Sequence, residues 1–314
     1  WVAAKLERHP RPKLERLKID LDYFCESVDH LPVEYIESNP LEDILAAVSQ
    51  VLASNASTLT SVDITWLRCD CEPALKFRLF QPLLGALCPG GENSALRSLK
   101  FRGVPEIDPY DDDRLNFDCF RSLERLEIIG CDITVPLICL GPPPSLTTLI
   151  TENVIVVGYN IEGQASPPNA LQVLSMRSFF GVEELFMNFV HWSSNVRHLN
   201  LMGMEYETYF FFLSSDDDML LEAIGHLKLE SLAISMKPRL ARNRPLWRLK
   251  IPEGELWGGL AEHFGRTLKS LFITGAPDLS YSPPNCYTFD RLELIMVAET
   301  SYKKTRMFIR GCLE

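Results

Sequence analysis

One apolar phrase recurs along the chain: Leu-x-x-Leu-x-Leu/Ile/Phe, often closed by x-Gly and a small apolar residue. Four copies nearly superimpose. They are Leu96-Arg97-Ser98-Leu99-Lys100-Phe101-Arg102-Gly103-Val104, then Leu123 to Cys131, Val196 to Met204 and Leu268 to Ala276. A phrase repeated in this way excludes most globular folds, because each copy becomes one unit of a stack and packs on its neighbours. The last two apolar positions are two residues apart, so both face one side of a strand and the residue between them faces the other. A lone strand of this kind has nothing to bury its apolar side against. Equivalent strands laid side by side in parallel give one continuous core.

Anchored on the first apolar position, the repeats begin at Leu14, Leu59, Leu96, Leu123, Leu146, Leu171, Val196, Leu229, Leu268 and Phe289. Imperfections are visible. Thr151 stands where the fifth repeat should place its third apolar residue, and Cys131 holds a core position of the fourth. Leu246-Trp247-Arg248-Leu249-Lys250-Ile251 repeats the phrase out of step, as a further strand or part of a long connection. Glycines 103, 130, 203 and 275 follow the strands, where the chain must turn.

Return segments read as helices in the longer repeats. Asn39-Pro40-Leu41-Glu42 combines an N-cap, Pro at the first helical position and Glu soon after. Leu41, Ile44, Leu45, Val48, Val51 and Leu52 then share a face. Ser215 with Asp216, Asp217 and Asp218 opens a second helix, whose stripe is Leu220, Ala223, Ile224 and Leu227. Phe80, Leu83, Leu84 and Leu87 mark a third. Leu256, Leu260 and Phe264 mark a fourth. The short repeats from Leu123 to Val196 have little room for helix, and Cys139 to Pro144 must be an extended or turn return. Helices should therefore cluster towards the two ends.

The chain has 314 residues, 46% of them hydrophobic, enough for a large core. Its net charge of −11 argues against a nucleic-acid binder, which needs a basic face. No apolar run approaches the roughly 18 residues of a membrane span. The nine cysteines are odd in number and irregularly spaced. Cys69 and Cys71 lack the second close pair of a zinc site. We therefore expect reduced thiols with no disulfide, no bound metal and an intracellular protein, cytoplasmic or nuclear. Asn55-Ala56-Ser57 is a glycosylation sequon.

Chemistry-bearing clusters are absent. The six histidines form no HExxH pattern, and no Gly-x-Ser-x-Gly elbow occurs. His226 and His263 fall beside helical apolar stripes and read as packed or surface residues. Asp108 to Asp113 lacks the spacing and glycine of a calcium loop. The basic stretch Lys237 to Arg244 reads as a solvated loop, and Tyr209 to Phe212 as packing beneath a helix. No catalytic residue and no cofactor site is assigned, and the chain is not read as an enzyme.

These residues resemble the irregular leucine-rich repeats of F-box substrate-recognition proteins, particularly fungal ones, from Leu14 to Leu294. The resemblance implies an α/β solenoid, a horseshoe with a curved parallel β-sheet on the concave face and helices and loops on the convex face. Residues 1–314 would be one such domain of about ten irregular repeats. It further implies a protein-interaction scaffold that holds the substrate of a ubiquitin ligase. Leu31-Pro32-Val33-Glu34-Tyr35-Ile36 is similar to the opening of an F-box, but it follows the first repeat strand and lacks the apolar pattern to come. Any F-box, and the adaptor contact it makes, would lie upstream of Trp1. The alternatives are an enzyme with a pocket in the array and a leucine-rich-repeat module of secreted or immune role.

The outward positions lie two, four and six places after each anchor. In the first repeats they are Arg16, Lys18 and Asp20, then Ser61, Asp63 and Thr65, all ordinary solvated types. In repeats four to seven they include Arg125, Ile129, Ile150, Val173, Arg177, His198, Asn200 and Met202. Apolar side chains at exposed positions, beside Arg, are what a recognition patch contains. A protein partner is expected there, on the concave face.

Overall fold

A computed structural model describes residues 13–20, 40–65, 82–89, 94–104, 119–134, 145–156, 170–177, 180–181, 194–202, 224–235, 253–274, 289–298 and 305–309. Its centre is a single sheet. In chain order the elements are β1 (Arg16–Asp20), α1 (Pro40–Asn55), β2 (Ser61–Thr65), β3 (Ser98–Val104), β4 (Arg125–Thr134), β5 (Thr148–Val156), β6 (Val173–Arg177), β7 (Phe180–Gly181), β8 (His198–Leu201), β9 (Ser231–Ser235), α2 (Glu253–Phe264), β10 (Ser270–Thr274), β11 (Leu294–Ala298) and β12 (Thr305–Ile309). Ten strands, β1 to β6 and β8 to β11, pair in parallel in sequence order. The short β7 pairs off this path with β5, and β12 closes the far edge antiparallel to β11. The described chain is thus an α/β array with one mainly parallel sheet, as the repeated phrase predicts.

The register follows the phrase. Leu17, Val62, Leu99, Leu126, Leu149, Leu174, Leu199, Leu232, Leu271 and Ile295 form one row across the sheet. All but the half-buried Leu17 are buried. The row two residues on continues the core and includes Phe101, Ile128, Met176 and Leu201. Thr151 takes its place in that row, in register with Ile128, and is 1% exposed.

Successive repeats are also stitched at the strand entrance. The residue after each anchor offers a carbonyl that accepts two N–H groups from the next repeat. Thr60 and Ser61 donate to Glu15, Arg97 and Ser98 to Thr60, and Glu124 and Arg125 to Arg97. The pattern runs unbroken to Glu293 and Leu294, which donate to Lys269. It places the tenth anchor at Leu292, correcting Phe289. Phe289 is buried nonetheless, with its ring edge-on to Trp257 at 6.2 Å.

Helical turns precede strands at both ends. α1 packs Leu45 and Leu52 into the core, but Val51, expected on the same face, is 36% exposed. Residues 82–87 are helical and bury Leu83, Leu84 and Leu87. α2 buries Trp257, Leu260 and Phe264. Of the helix expected from Ser215, only Ile224 and Gly225 are described as helical, and Ile224 and Leu227 are buried. Among the described residues no helix lies between β4 and β8.

The glycines behave unequally. Gly103 has φ 78°, the left-handed turn expected at a strand end. Gly130 instead lies inside β4, which runs on to Thr134. Gly203, Gly275 and residues 246–251 lie outside the described residues, as do 108–113, 209–212 and 237–244; β9 and β10 pair directly.

A further correction concerns the cysteines. Cys88 and Cys119 form a disulfide, with Cα atoms 6.3 Å apart, against the expectation of none. Stacking explains it. Cys88 ends the 82–87 helical turn and Cys119 leads towards β4, and the backbone of the two lead-ins is joined by Ser94 N–H donating to the Cys119 carbonyl at 3.0 Å. Thirty-one residues of separation hide this proximity in the sequence.

Candidate functional site

The eight predicted recognition residues are brought together. Arg125, Val173 and His198 share one row, joined through Thr148. Ile150 and Asn200 share the next, with Ser175 between them. Ile129 and Arg177 share the third, with Glu152 between them. Met202 follows β8 directly and is half-buried. All alternate with core residues along their strands, so they stand on the side of the sheet away from the core. Arg125, Arg177 and His198 are exposed, and Ile129, Ile150, Val173 and Asn200 are half-buried.

The first strands follow the expectation in part. Arg16, Lys18 and Asp20 are exposed. Thr65 is buried at 8%, because it sits in register between the longer Asp20 and Arg102.

Four further residues at outward positions, four or six places after their anchors, complete the face. Lys100 on β3 and Arg125 both hold the Glu127 carboxylate, Lys100 through a close ion pair and Arg125 Nε at 2.8 Å. The Glu127 side chain is only 10% exposed, whereas those of Lys100 and Arg125 are 24% and 47% exposed. The carboxylate therefore lies beneath its two cations. Burial alone would raise its pKa, but hydrogen bonds from Lys100 and Arg125, with their charges, outweigh that and hold it below the ordinary carboxylate range. Its sequence signal is opposite charge at equivalent outward positions of consecutive repeats.

Ser175 and Arg102 complete the set. Ser175 is 6% exposed, a short side chain between Ile150 and Asn200. Its Oγ, the Oδ1 of Asn200 and the Nε of Arg102 are shielded from solvent and have no hydrogen-bond partner. Leaving such groups unpaired costs free energy, on the order of 1–3 kcal/mol each. With Oδ1 of Asp63 on β2, four such atoms lie at outward positions, which is unusual in a finished surface. Glu152 meets Arg177 weakly, at 3.9 Å.

This arrangement offers apolar, cationic and polar groups on one face. Apolar side chains, exposed guanidinium groups and unpaired polar atoms lie on five adjacent strands, β3, β4, β5, β6 and β8. Among the described residues no group of His, Cys, Asp or Glu could hold a metal ion. No described helix is long and apolar enough to cross a membrane. No family model matches the sequence, and no curated protein matches it.

Proposed function

We propose that the chain is a leucine-rich-repeat binding module whose curved sheet receives a protein partner on the outward face of β4, β5, β6 and β8. The observation that carries this reading is the contiguity of Arg125, Ile129, Ile150, Val173, Arg177, His198, Asn200 and Met202 on one side of those strands. A central cluster of aliphatic and Arg anchors is where interface energy concentrates. By resemblance to F-box proteins, the partner is the substrate of a ubiquitin ligase, whose adaptor the full-length protein also binds. The test is a pull-down with the full-length protein and with Val173→Asp/Met202→Asp, folding being checked by circular dichroism. Loss of partner with the folded double variant is the expected result. Undiminished recovery rejects the face, and absence of a ligase adaptor from the wild-type pull-down rejects the ligase role.

One observation favours a second reading. The Cys88–Cys119 disulfide suits a module of the secretory pathway better than an intracellular one. Rapid alkylation of the protein in its native source separates the two. Blocked Cys88 and Cys119 thiols support the intracellular reading, and an intact bond supports the secreted one.

A further inference from the structure

Charge is segregated along the outward face, and the segregation names a partner chemistry. On β1 and β2 the outward positions carry Arg16, Lys18, Asp20 and Asp63, which balance. On β9 and β10 the outward residues Ser231, Ala233, Ser270 and Phe272 are uncharged. On β3 to β6 four cations, Lys100, Arg102, Arg125 and Arg177, face two carboxylates, Glu127 and Glu152. Glu127 is sunk beneath Lys100 and Arg125, and Glu152, 36% exposed, is the one carboxylate of these strands' outward rows left to offset the exposed Arg125 and Arg177, so the exposed charge is cationic in balance. This surplus sits on a chain whose net charge is −11. It coincides with the outward aliphatic residues Ile129, Ile150 and Val173.

Resting on the docking reading above, we propose that the occupant of this face is an acidic peptide segment of a partner protein, with aliphatic side chains between its carboxylates. Arg125 and Arg177, whose side chains are 47% and 52% exposed, stand at the edges of the aliphatic patch and meet the carboxylates. Ile150 and Val173 receive the aliphatic groups. Exposed ion pairs add little affinity each, so the charges act mainly by steering and by rejecting basic or neutral competitors. A nucleic acid fits less well. Its phosphates need an unbroken basic track, and here apolar residues interrupt the cations on an acidic protein.

Three fluorescent peptides test this against the whole chain by anisotropy. They share one spacing of Leu and Val and differ in carrying Glu, Ser or Lys between. The acidic peptide should bind about tenfold tighter than the Ser peptide at low salt, and the margin should shrink at about 0.5 M NaCl. Arg125→Gln/Arg177→Gln should erase the margin and leave the Ser peptide's affinity unchanged. Arg177→Gln alone, which gives up only the 3.9 Å contact to Glu152, should halve the margin if the double variant fails to fold. Equal binding of the acidic and Ser peptides, no binding by any peptide, a margin that survives both substitutions, or tighter binding of a single-stranded oligonucleotide overturns the proposal. A partner whose capture depends on Val173 and Met202 but not on Arg125 or Arg177 would keep the docking face and reject its acidic occupant. Acidic binding unchanged by Val173→Ala/Met202→Ala would reject the aliphatic anchors as well.

Discussion

Gly103 has φ 78°, and a side chain there would crowd the following carbonyl. Gly103→Ala should therefore cost about 1–2 kcal/mol in urea melts, since the left-handed region carries that penalty for a residue with a β-carbon. Gly225 is constrained differently. A β-carbon on it would lie 2.5 Å from Nδ1 of His263 in the adjacent return segment. Gly225→Ala should destabilise the protein, and Gly225→Ala/His263→Ala should recover part of the loss in a double-mutant cycle. Additive effects would show that the ring simply swings aside. Glu127 supplies a prediction about pH. Its folded pKa lies below the ordinary carboxylate value, so its contribution is present above the unfolded pKa and is lost as pH falls through the folded one. The stability gap between wild type and Glu127→Gln should hold at neutral pH and close on acidification below the ordinary carboxylate range. A gap that widened on acidification would mean the carboxylate is not held by its cations.

Strands were legible in the sequence where a strict period of two met an apolar core. Leu99 with Phe101 and Leu126 with Ile128 could not be placed otherwise without exposing both members. The last repeat slipped because two overlapping copies of the phrase compete there. Phe289, Leu292 and Leu294 form one, and Leu292, Ile295 and Val297 form the other; the carbonyl of Lys269 selects the second. The outward rows were legible for the same reason of alternation, so the eight residues expected on that face fall together. Burial within those rows was not, because it depends on the length of cross-strand neighbours, as at Ser175 and Thr65. The cysteine pairing was hidden for a related reason: it joins two return segments, and their approach is set by stacking and not by local pattern. It makes an element-scale prediction. A non-reduced digest should yield a peptide pair linked through Cys88 and Cys119, and Cys88→Ser/Cys119→Ser should lower stability by about 2–4 kcal/mol. Unlinked peptides from protein purified without reductant would overturn the pairing.

The molecule as a whole is a row of nearest neighbours, so its stability should vary along the sheet. Each inner parallel strand is held on two sides, whereas among the described residues β1 pairs only with β2. At β1 the outward Arg16, Lys18 and Asp20 are exposed and even Leu17 is only half-buried. Charged residues on such an edge also discourage pairing with a second chain. The opposite edge is covered by β12, which runs antiparallel to β11 and ends the parallel stack. Hydrogen exchange should therefore be fastest in β1 and slowest in β4, β5 and β6, with β11 more protected than β1. Core truncations should report the same gradient. Leu126→Ala and Leu149→Ala remove side chains that are 2% exposed from strands flanked on both sides. Each should cost about 2–5 kcal/mol and raise exchange in the adjoining strands in both directions. Leu17→Ala should cost less and disturb only β1 and β2. Two-state unfolding with uniform protection from β1 to β11, and a Leu17→Ala effect as large as that of Leu149→Ala, would show that the array folds as one unit and that the row of neighbours is the wrong description of its energetics.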